Sequence, residues 1–394
     1  MNKKKEIVPK LRFPEFTGKW QTEKLGNLFI DRQEVGFSDL LLMSLTAENG
    51  LVPQQETKKK DNSNANKSKY LRVCKGDIVY NTMRMWQGRC AYCKNEGIVS
   101  PAYTVCIPKD GCDGVFFYYY FKTYDLIQKF HANSQGLVSD TLNLKFDKFA
   151  SITISCPIKK EEQQKIADCL SSIDDLIDAE SRKLKALEKY KKGLMQKLFP
   201  AEGKTLPEWR FPAFQRCKKW EICTIKDRFT TITPPRKIPK SEYKNSGKYP
   251  IADQSQKYIA GWTDDETAIV SYRRPLIVFG DHTCVLKIMS QPFAQGADGI
   301  KILLADYKLY EKFAYYYLKN IPLNPNGYQR HYSTLKEFVI KFPDKNSGEQ
   351  QKIADCLSEI DTMITEQSNK VEQLKAHKKG LMQGLFPSFE EADV

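Results

Sequence analysis

The 394-residue sequence carries 62 Lys and Arg against 48 Asp and Glu, a formal net charge of +14, with 41% hydrophobic residues. That length suits two domains of ordinary size rather than a single core, and the basic excess points to an anionic partner. No uninterrupted apolar run of about 18 residues occurs, and Met1-Asn2-Lys3-Lys4-Lys5 opens onto charged sequence, so no membrane partner or secretory leader is expected and the chain reads as cytoplasmic.

In chain order, Arg12-Phe13-Pro14-Glu15-Phe16 with Trp20 introduces a first basic body, residues 1–160, holding 25 bases against 16 acids. Inside it Lys67, Lys69 and Tyr70 precede a strand-like Asp77-Ile78-Val79-Tyr80, and a polar turn with Arg84, Trp86 and Arg89 follows. The eleven cysteines are thinly spread and odd in number, which reads as reduced thiols. The one C-x-x-C, Cys90 to Cys93, lacks a second pair at zinc-finger spacing, so no metal site is expected.

Residues 161–199 read as a long helix. Ile166, Leu170, Ile173, Ile177, Leu184, Leu187, Leu194 and Leu198 alternate steps of four and three, with Glu180 and Lys191 filling two gaps. Pro200 stops it, and Gly193 weakens its last turns.

A second basic body follows, 24 bases against 15 acids over residues 200–348, introduced by Arg210-Phe211-Pro212-Ala213-Phe214 with Trp220. It offers Ser255 and Gln256, then Tyr272-Arg273-Arg274, then Gln329-Arg330-His331-Tyr332. Arg reads guanine, Gln reads adenine, and Lys and Ser suit phosphates, so these clusters on two basic bodies are candidate DNA contacts.

Residues 348–387 return to helix, and an acidic tail, 388–394, ends the sequence. The helix is a repeat: Glu162-Gln-Gln-Lys-Ile-Ala-Asp-Cys-Leu-Ser171 recurs letter for letter as Glu349 to Ser358, and Lys191-Lys-Gly-Leu-Met-Gln196 as Lys378 to Gln383. The second copy keeps the apolar register from Ile353 to Leu385, with Gln367 and Lys378 in the same two gaps, and Ser347 and Gln350 have capping-box spacing at its start. Between the copies' helices the sequences diverge: the frame is duplicated and its cargo is not. Both helices run from an acidic start to a basic end, which is complementary across a seam only if they pair antiparallel. Their duplication inside one chain, with a full domain between the copies, favours an internal pair over ordinary core helices or a homodimerising coiled coil. A helix of about 36 residues spans roughly 54 Å, enough for a rigid spacer.

No phosphate-cradling loop, dinucleotide fingerprint, nucleophile elbow or H-E-x-x-H occurs, and no two of the four histidines have metal-ligand spacing. Asp227 with Glu242-Tyr243-Lys244 loosely mimics a metal-dependent nuclease pattern too short to carry weight.

With this organisation in hand, the sequence resembles the specificity subunit of type I restriction-modification enzymes over nearly its whole length. The match lies in Glu162-Gln-Gln-Lys-Ile-Ala and Glu349-Gln-Gln-Lys-Ile-Ala opening helices that each run through Lys-Lys-Gly-Leu-Met-Gln, and in Gly97-Ile-Val-Ser-Pro-Ala-Tyr103 and Phe279-Gly280-Asp281-His282-Thr283, which adds His282 and Thr283 to the candidate DNA contacts. The resemblance implies an α+β fold with a pseudo-two-fold internal repeat. Two mixed α/β target-recognition domains, 1–160 and 200–347, would be separated by two long antiparallel coiled-coil helices, 161–199 and 348–387. It further implies a non-catalytic chain that reads a bipartite asymmetric site in double-stranded DNA. Two methylation subunits would dock on the helices and restriction/translocation subunits would join, with S-adenosylmethionine, ATP and Mg belonging to those partners and no cofactor to this chain. The four polar seam residues are expected to mark where partners bind. Two other readings stand beside this one: a self-contained type II-like restriction or methylation enzyme or its recognition fragment, which would need a metal or methyl-donor motif, and a scaffold without a DNA role, which would not need the basic bodies.

Overall fold

The computed structural model describes residues 8–46, 50–57, 60–61, 63–136, 141–297, 299–323 and 330–388. They form two compact units, one built from the chain up to Glu180 together with Lys370 onward, the other from Ser181–Asn369. Each unit is α+β.

In the first, β1 (Gln21–Lys24), the single turn α1 (Leu25–Leu28), β2 (Phe29–Asp31), β3 (Met43–Thr46), β4 (Gly50–Pro53), β5 (Leu71–Val73), β6 (Ile78–Asn81), β7 (Cys90–Tyr92), β8 (Gly97–Val99), β9 (Tyr103–Pro108), α2 (Gly114–Tyr120), α3 (Tyr124–Asn133), α4 (Phe146–Ser151) and β10 (Thr153–Cys156) lead into α5 (Lys160–Leu198). The second holds β11 (Glu221–Thr224), β12 (Phe229–Ile232), β13 (Tyr249–Ala252), β14 (Gly261–Thr263), β15 (Ile269–Val270), β16 (Leu276–Gly280), β17 (Leu286–Met289), β18 (Phe293–Gln295), β19 (Ile300–Ala305), α6 (Glu311–Asn320), α7 (Tyr332–Glu337) and β20 (Val339–Phe342) before α8 (Glu349–Leu385).

The strands repeat although their sequences do not. A four-stranded antiparallel sheet has the order β2-β9-β6-β7 in the first unit and β12-β19-β16-β17 in the second, and the pair β1-β10 corresponds to β11-β20. The units part company beside that sheet, with the small pairs β3-β4 and β5-β8 in one and a sheet β14-β13-β18-β15, including a parallel pair, in the other.

β6 and β16 read as unbroken apolar runs because both faces of the sheet are covered. Ile78 and Tyr80 face an aromatic core with Phe29, Phe116, Phe117 and Phe149, while Val79 faces a second cluster with Met43, Val99 and Val105. The rings meet edge to face, as in Phe29 on Phe117 at 5.1 Å, the arrangement their quadrupoles favour. Ile166, Ala167 and Leu170 from the start of α5, and Leu385 and Phe386 from the end of α8, complete this core. In the second unit the same role falls to Ile353, Ala354 and Leu357, with Leu198 and Phe199.

Both long helices run unbroken through Gly193 and Gly380, so packing outweighs the propensity cost expected there. In the first unit Asp174 meets Lys378 at 2.6 Å and Glu180 meets Lys370 at 2.5 Å, so rising numbers on α5 oppose falling numbers on α8 and the pair is antiparallel. Lys191 meets Asp361 at 2.5 Å in the second unit. The polar seam positions are thus engaged within the chain: Glu180, Lys191 and Lys378 are ion-paired and Gln367 is buried, which corrects their reading as marks for partner binding. The capping box is corrected too. Ser347 accepts the Glu349 N–H, but the Gln350 amide turns away to the carbonyls of Lys308 and Pro343.

Among the described residues no helix is long and apolar enough to cross a membrane.

Candidate nucleic-acid interface

Each unit is fastened to the start of its long helix by the same fittings. Arg12 grips the buried Glu162 through Nε and Nη2 at 2.8 and 2.9 Å, and Arg210 grips Glu349 at 2.6 Å through both. One residue on, Gln163 accepts the Asp113 N–H and Gln350 that of Tyr310. The Arg-Phe-Pro echo and the Glu-Gln repeat seen in the sequence are the two sides of one joint.

On that base the first unit builds a rigid polar turn after β6. Asn81 accepts the Met83 N–H, Met85 is wholly buried, and Gly88 takes a left-handed conformation, φ 71°. A Cβ at Gly88 would come to 3.0 Å from Ile127 on α3, so the turn lies tightly against that helix. Trp86 donates its indole N–H to the Met83 carbonyl and sets its ring edge on His131 at 5.7 Å. This fixing leaves Arg84, Gln87 and Arg89 exposed on the rim of a cleft of about 1240 Å³, whose other wall is β3, β4 and the segment after them. Ser44, Gln54, Asn64 and Asn81 line it with hydroxyl and carboxamide groups, which can both donate and accept hydrogen bonds at base edges.

Of the residues singled out in the sequence here, Tyr70, Arg84 and Arg89 meet in this cleft. Tyr70 is buried and forms part of the wall, its hydroxyl accepting the Asn64 N–H, and Lys67 lies over its ring at 5.1 Å. Trp86 packs under the turn, and Lys69 is exposed. Gln54, Asn64 and Gln87 line the cleft as well. Gln87 lay within the polar turn already singled out, while Gln54 and Asn64 sit in loops without a pattern.

In the second unit three loops converge at the ends of β13, β16 and α7. Asp281, almost fully buried, accepts the Tyr332 N–H on its carboxylate and the His331 N–H on its carbonyl, tying the β16 loop to the start of α7. Thr283 donates to the Gln254 carbonyl at 2.7 Å, and a Cβ at Gly280 would sit 2.4 Å from the Thr283 hydroxyl, so only glycine fits. Lys287, 3% exposed, donates to the Asp253 carbonyl and lies 3.6 Å from its carboxylate. Burial pulls the Lys287 amine below its ordinary pKa. Burial also opposes ionisation of Asp253, but hydrogen bonds from Ser255 and the charge of Lys287 bring its carboxyl below the usual value.

Around this knot Gln256 and Thr283 line a pocket of about 450 Å³ with Tyr258, Lys319 and Leu323. Tyr272 and Arg273 are exposed, as is Arg330, and His282 is half-buried. The ammonium groups of Lys301 and Lys336 each lie close to the Tyr332 ring centre, at 5.8 and 5.9 Å. Arg274 is occupied internally by the Ala305 carbonyl and the buried Glu311, and His331 is buried. Gln329 lies outside the described residues. Gln254 Oε1 and His331 Nε2 are buried without a partner among the described residues.

The weak nuclease pattern is dispersed by the fold: Asp227 caps the turn at Thr224, Glu242 pairs with Arg236, and Lys244 with Asp264. Cys90 and Cys93 are buried, and burial pushes their thiols up to about 11 and about 12.

A duplicated recognition frame with dissimilar polar surfaces, joined at an Arg–Glu fitting to paired helices, defines a class. The chain belongs to the type I restriction modification DNA specificity family, whose domain matches residues 18–189 and again 217–376, and it is therefore a specificity chain of the non-catalytic kind. It is similar to the type I restriction enzyme MjaVIII specificity subunit of Methanocaldococcus jannaschii, 22% identical over 80% of this chain and 81% of the relative. Its fold is that of the type I restriction-modification S subunit from M. genitalium, with a TM-score of 0.66 at 16% identity over 97% of this chain and all of the other. A chain solved in work on complex assembly and conformational transition of the type I R-M system gives 0.55 at 14% identity over 94% and 98%.

Proposed function

We propose that this chain reads a bipartite, asymmetric site in double-stranded DNA, one half per unit, and carries two methylation subunits, with restriction/translocation subunits joining them. S-adenosylmethionine, ATP and Mg then belong to the partners. The observation that carries the reading is the contrast within the repeat. The supporting sheet, the Arg–Glu fitting and the helix segments correspond between units, whereas the Arg84–Arg89 turn of one has the Asp281 loop knot of the other in its place. Unlike surfaces on like frames suit unlike half-sites, where a pair of identical readers would demand a palindrome.

Methylation mapping in cells with and without the chain tests this. The expected motif has two different specified halves and an unspecified gap. A continuous or palindromic motif overturns it.

A further inference from the structure

The sequence of the recognition frames hides a second, shorter repeat. Phe116-Phe-Tyr-Tyr-Tyr-Phe-Lys122 on α2 returns as Phe313-Ala-Tyr-Tyr-Tyr-Leu-Lys319 at α6. Its middle tyrosine does the same thing in both units. Tyr119 donates to Asp174 at 2.7 Å, and Tyr316 donates to Asp361 at 2.7 Å. Each carboxylate also receives a lysine from the opposing long helix, Lys378 at 2.6 Å and Lys191 at 2.5 Å, and each lysine lies over the tyrosine ring, at 5.0 and 5.2 Å. Three separate chain segments therefore meet at one carboxylate, twice.

The place of that carboxylate along the helix gives it a mechanical role. The frame is fastened at Glu162 and Gln163, and its apolar core reaches Ile166, Ala167 and Leu170 of α5 and no further along that helix. Asp174 lies 11 residues beyond Gln163, about 17 Å along the helix axis. The apolar contact ends at Leu170, one turn or about 6 Å before Asp174; a polar attachment beyond that end lengthens the stretch over which the frame is held and resists its tilting. Tyr119 supplies it at Asp174, and Tyr316 at Asp361 in the second unit.

We propose that Tyr119–Asp174–Lys378 and Tyr316–Asp361–Lys191 are positioning residues that fix the angle of each recognition frame on its helices, and with it the gap length tolerated between half-sites. The gap clause rests on the bipartite reading; the angle does not.

Two measurements separate them. Spin labels on bio-orthogonal amino acids at positions 124 and 176, both exposed and both in the first unit, report the frame-to-helix distance in the full chain. Tyr119→Phe should broaden that distance distribution. Truncating Phe146, which packs on the same core against Phe149, should not, even where it lowers thermal stability as much. An unchanged width in Tyr119→Phe, or equal broadening in both variants, overturns the positioning role whatever the DNA site proves to be. Should Tyr119→Phe fail to fold, Asp174→Asn, which keeps an acceptor for the tyrosine and loses the lysine, takes its place with the same two outcomes. In the assembled complex, methylation of sites whose gap differs by one base pair should rise about tenfold in Tyr119→Phe and Tyr316→Phe, the scale of one lost hydrogen bond to a charged group, with both half-site sequences unchanged. A broadened distance with unaltered gap preference would sink the gap clause alone, and a motif without a gap would sink the bipartite reading while the angle stands on the spin labels.

Discussion

Arg210 holds Glu349 through both sides of its guanidinium, Nε and Nη2 each 2.6 Å from a carboxylate oxygen, at a glutamate whose side chain has no exposed surface. The corresponding Glu162 has a second donor, the Trp20 indole at 3.1 Å, whereas the indole nitrogen of Trp220 is buried without a partner among the described residues. Arg210→Ala should therefore strand a buried charge and destabilise the second unit by about 3–5 kcal/mol. Arg12→Ala should cost less, because Glu162 keeps the indole. Thermal unfolding of the two variants checks the order, and equal losses would contradict it.

Arg89→Ala and Gln87→Ala should each weaken binding to the half-site read by the first unit by about tenfold, within the 1–3 kcal/mol of a base contact, and leave the other half untouched. Competition binding of the assembled complex with one half-site mutated at a time resolves the two. A uniform loss across unrelated DNA would instead make these residues phosphate contacts.

Replacing residues 21–155 with the matching segment of another family member should change one half of the methylated motif and conserve the other. The exchange points lie at β1 and β10, which pair with each other, Gln21 opposite Cys156, so the two junctions fall side by side, and the incoming segment must pack on the retained Trp20, Leu170 and Phe386. A swap that alters both halves would refute the division of labour.

Burial raises Cys93 and Cys156 to about 12 and Cys90 to about 11, above the ordinary thiol value of 9.0. The folded state therefore favours the protonated thiol. The stability this contributes is complete below pH 9 and is lost as pH climbs toward 11–12, because the unfolded thiols ionise first. At pH 8.5 alkylation should reach the exposed Cys217 promptly and these three only on unfolding. Prompt labelling of Cys93 in the folded chain would contradict its burial.

The long helices were legible because their signal is local and repeated: heptads, an acid-to-base gradient and a second copy. The engagement of Lys191 and Lys378 was not, since a lysine in an apolar stripe looks the same whether it faces a partner protein or a carboxylate across its own seam. Tyr119 and Tyr316 were missed because their run recurs at a spacing of 197, ten more than that of the helices, amid sequence that otherwise diverges. Among the candidate contacts, exposure separated Arg84 and Arg89 from Arg274 and His331. Composition cannot do so, because an arginine serving Glu311 and one exposed on a cleft rim are the same letter.

Leu385 and Phe386 belong to the aromatic core of the unit whose other residues precede Glu180, with the Phe386 ring stacked on Tyr120 at 4.9 Å. The order of synthesis is thereby reversed in the order of completion. The Ser181–Asn369 unit has all its parts once Asn369 has left the ribosome, while the frame made first must wait with an unfilled aromatic groove until α8 emerges. At about 5–20 residues per second that wait, from Glu180 to Phe386, lasts roughly 10–40 s, and during it the nascent chain exposes the surface most in need of a chaperone.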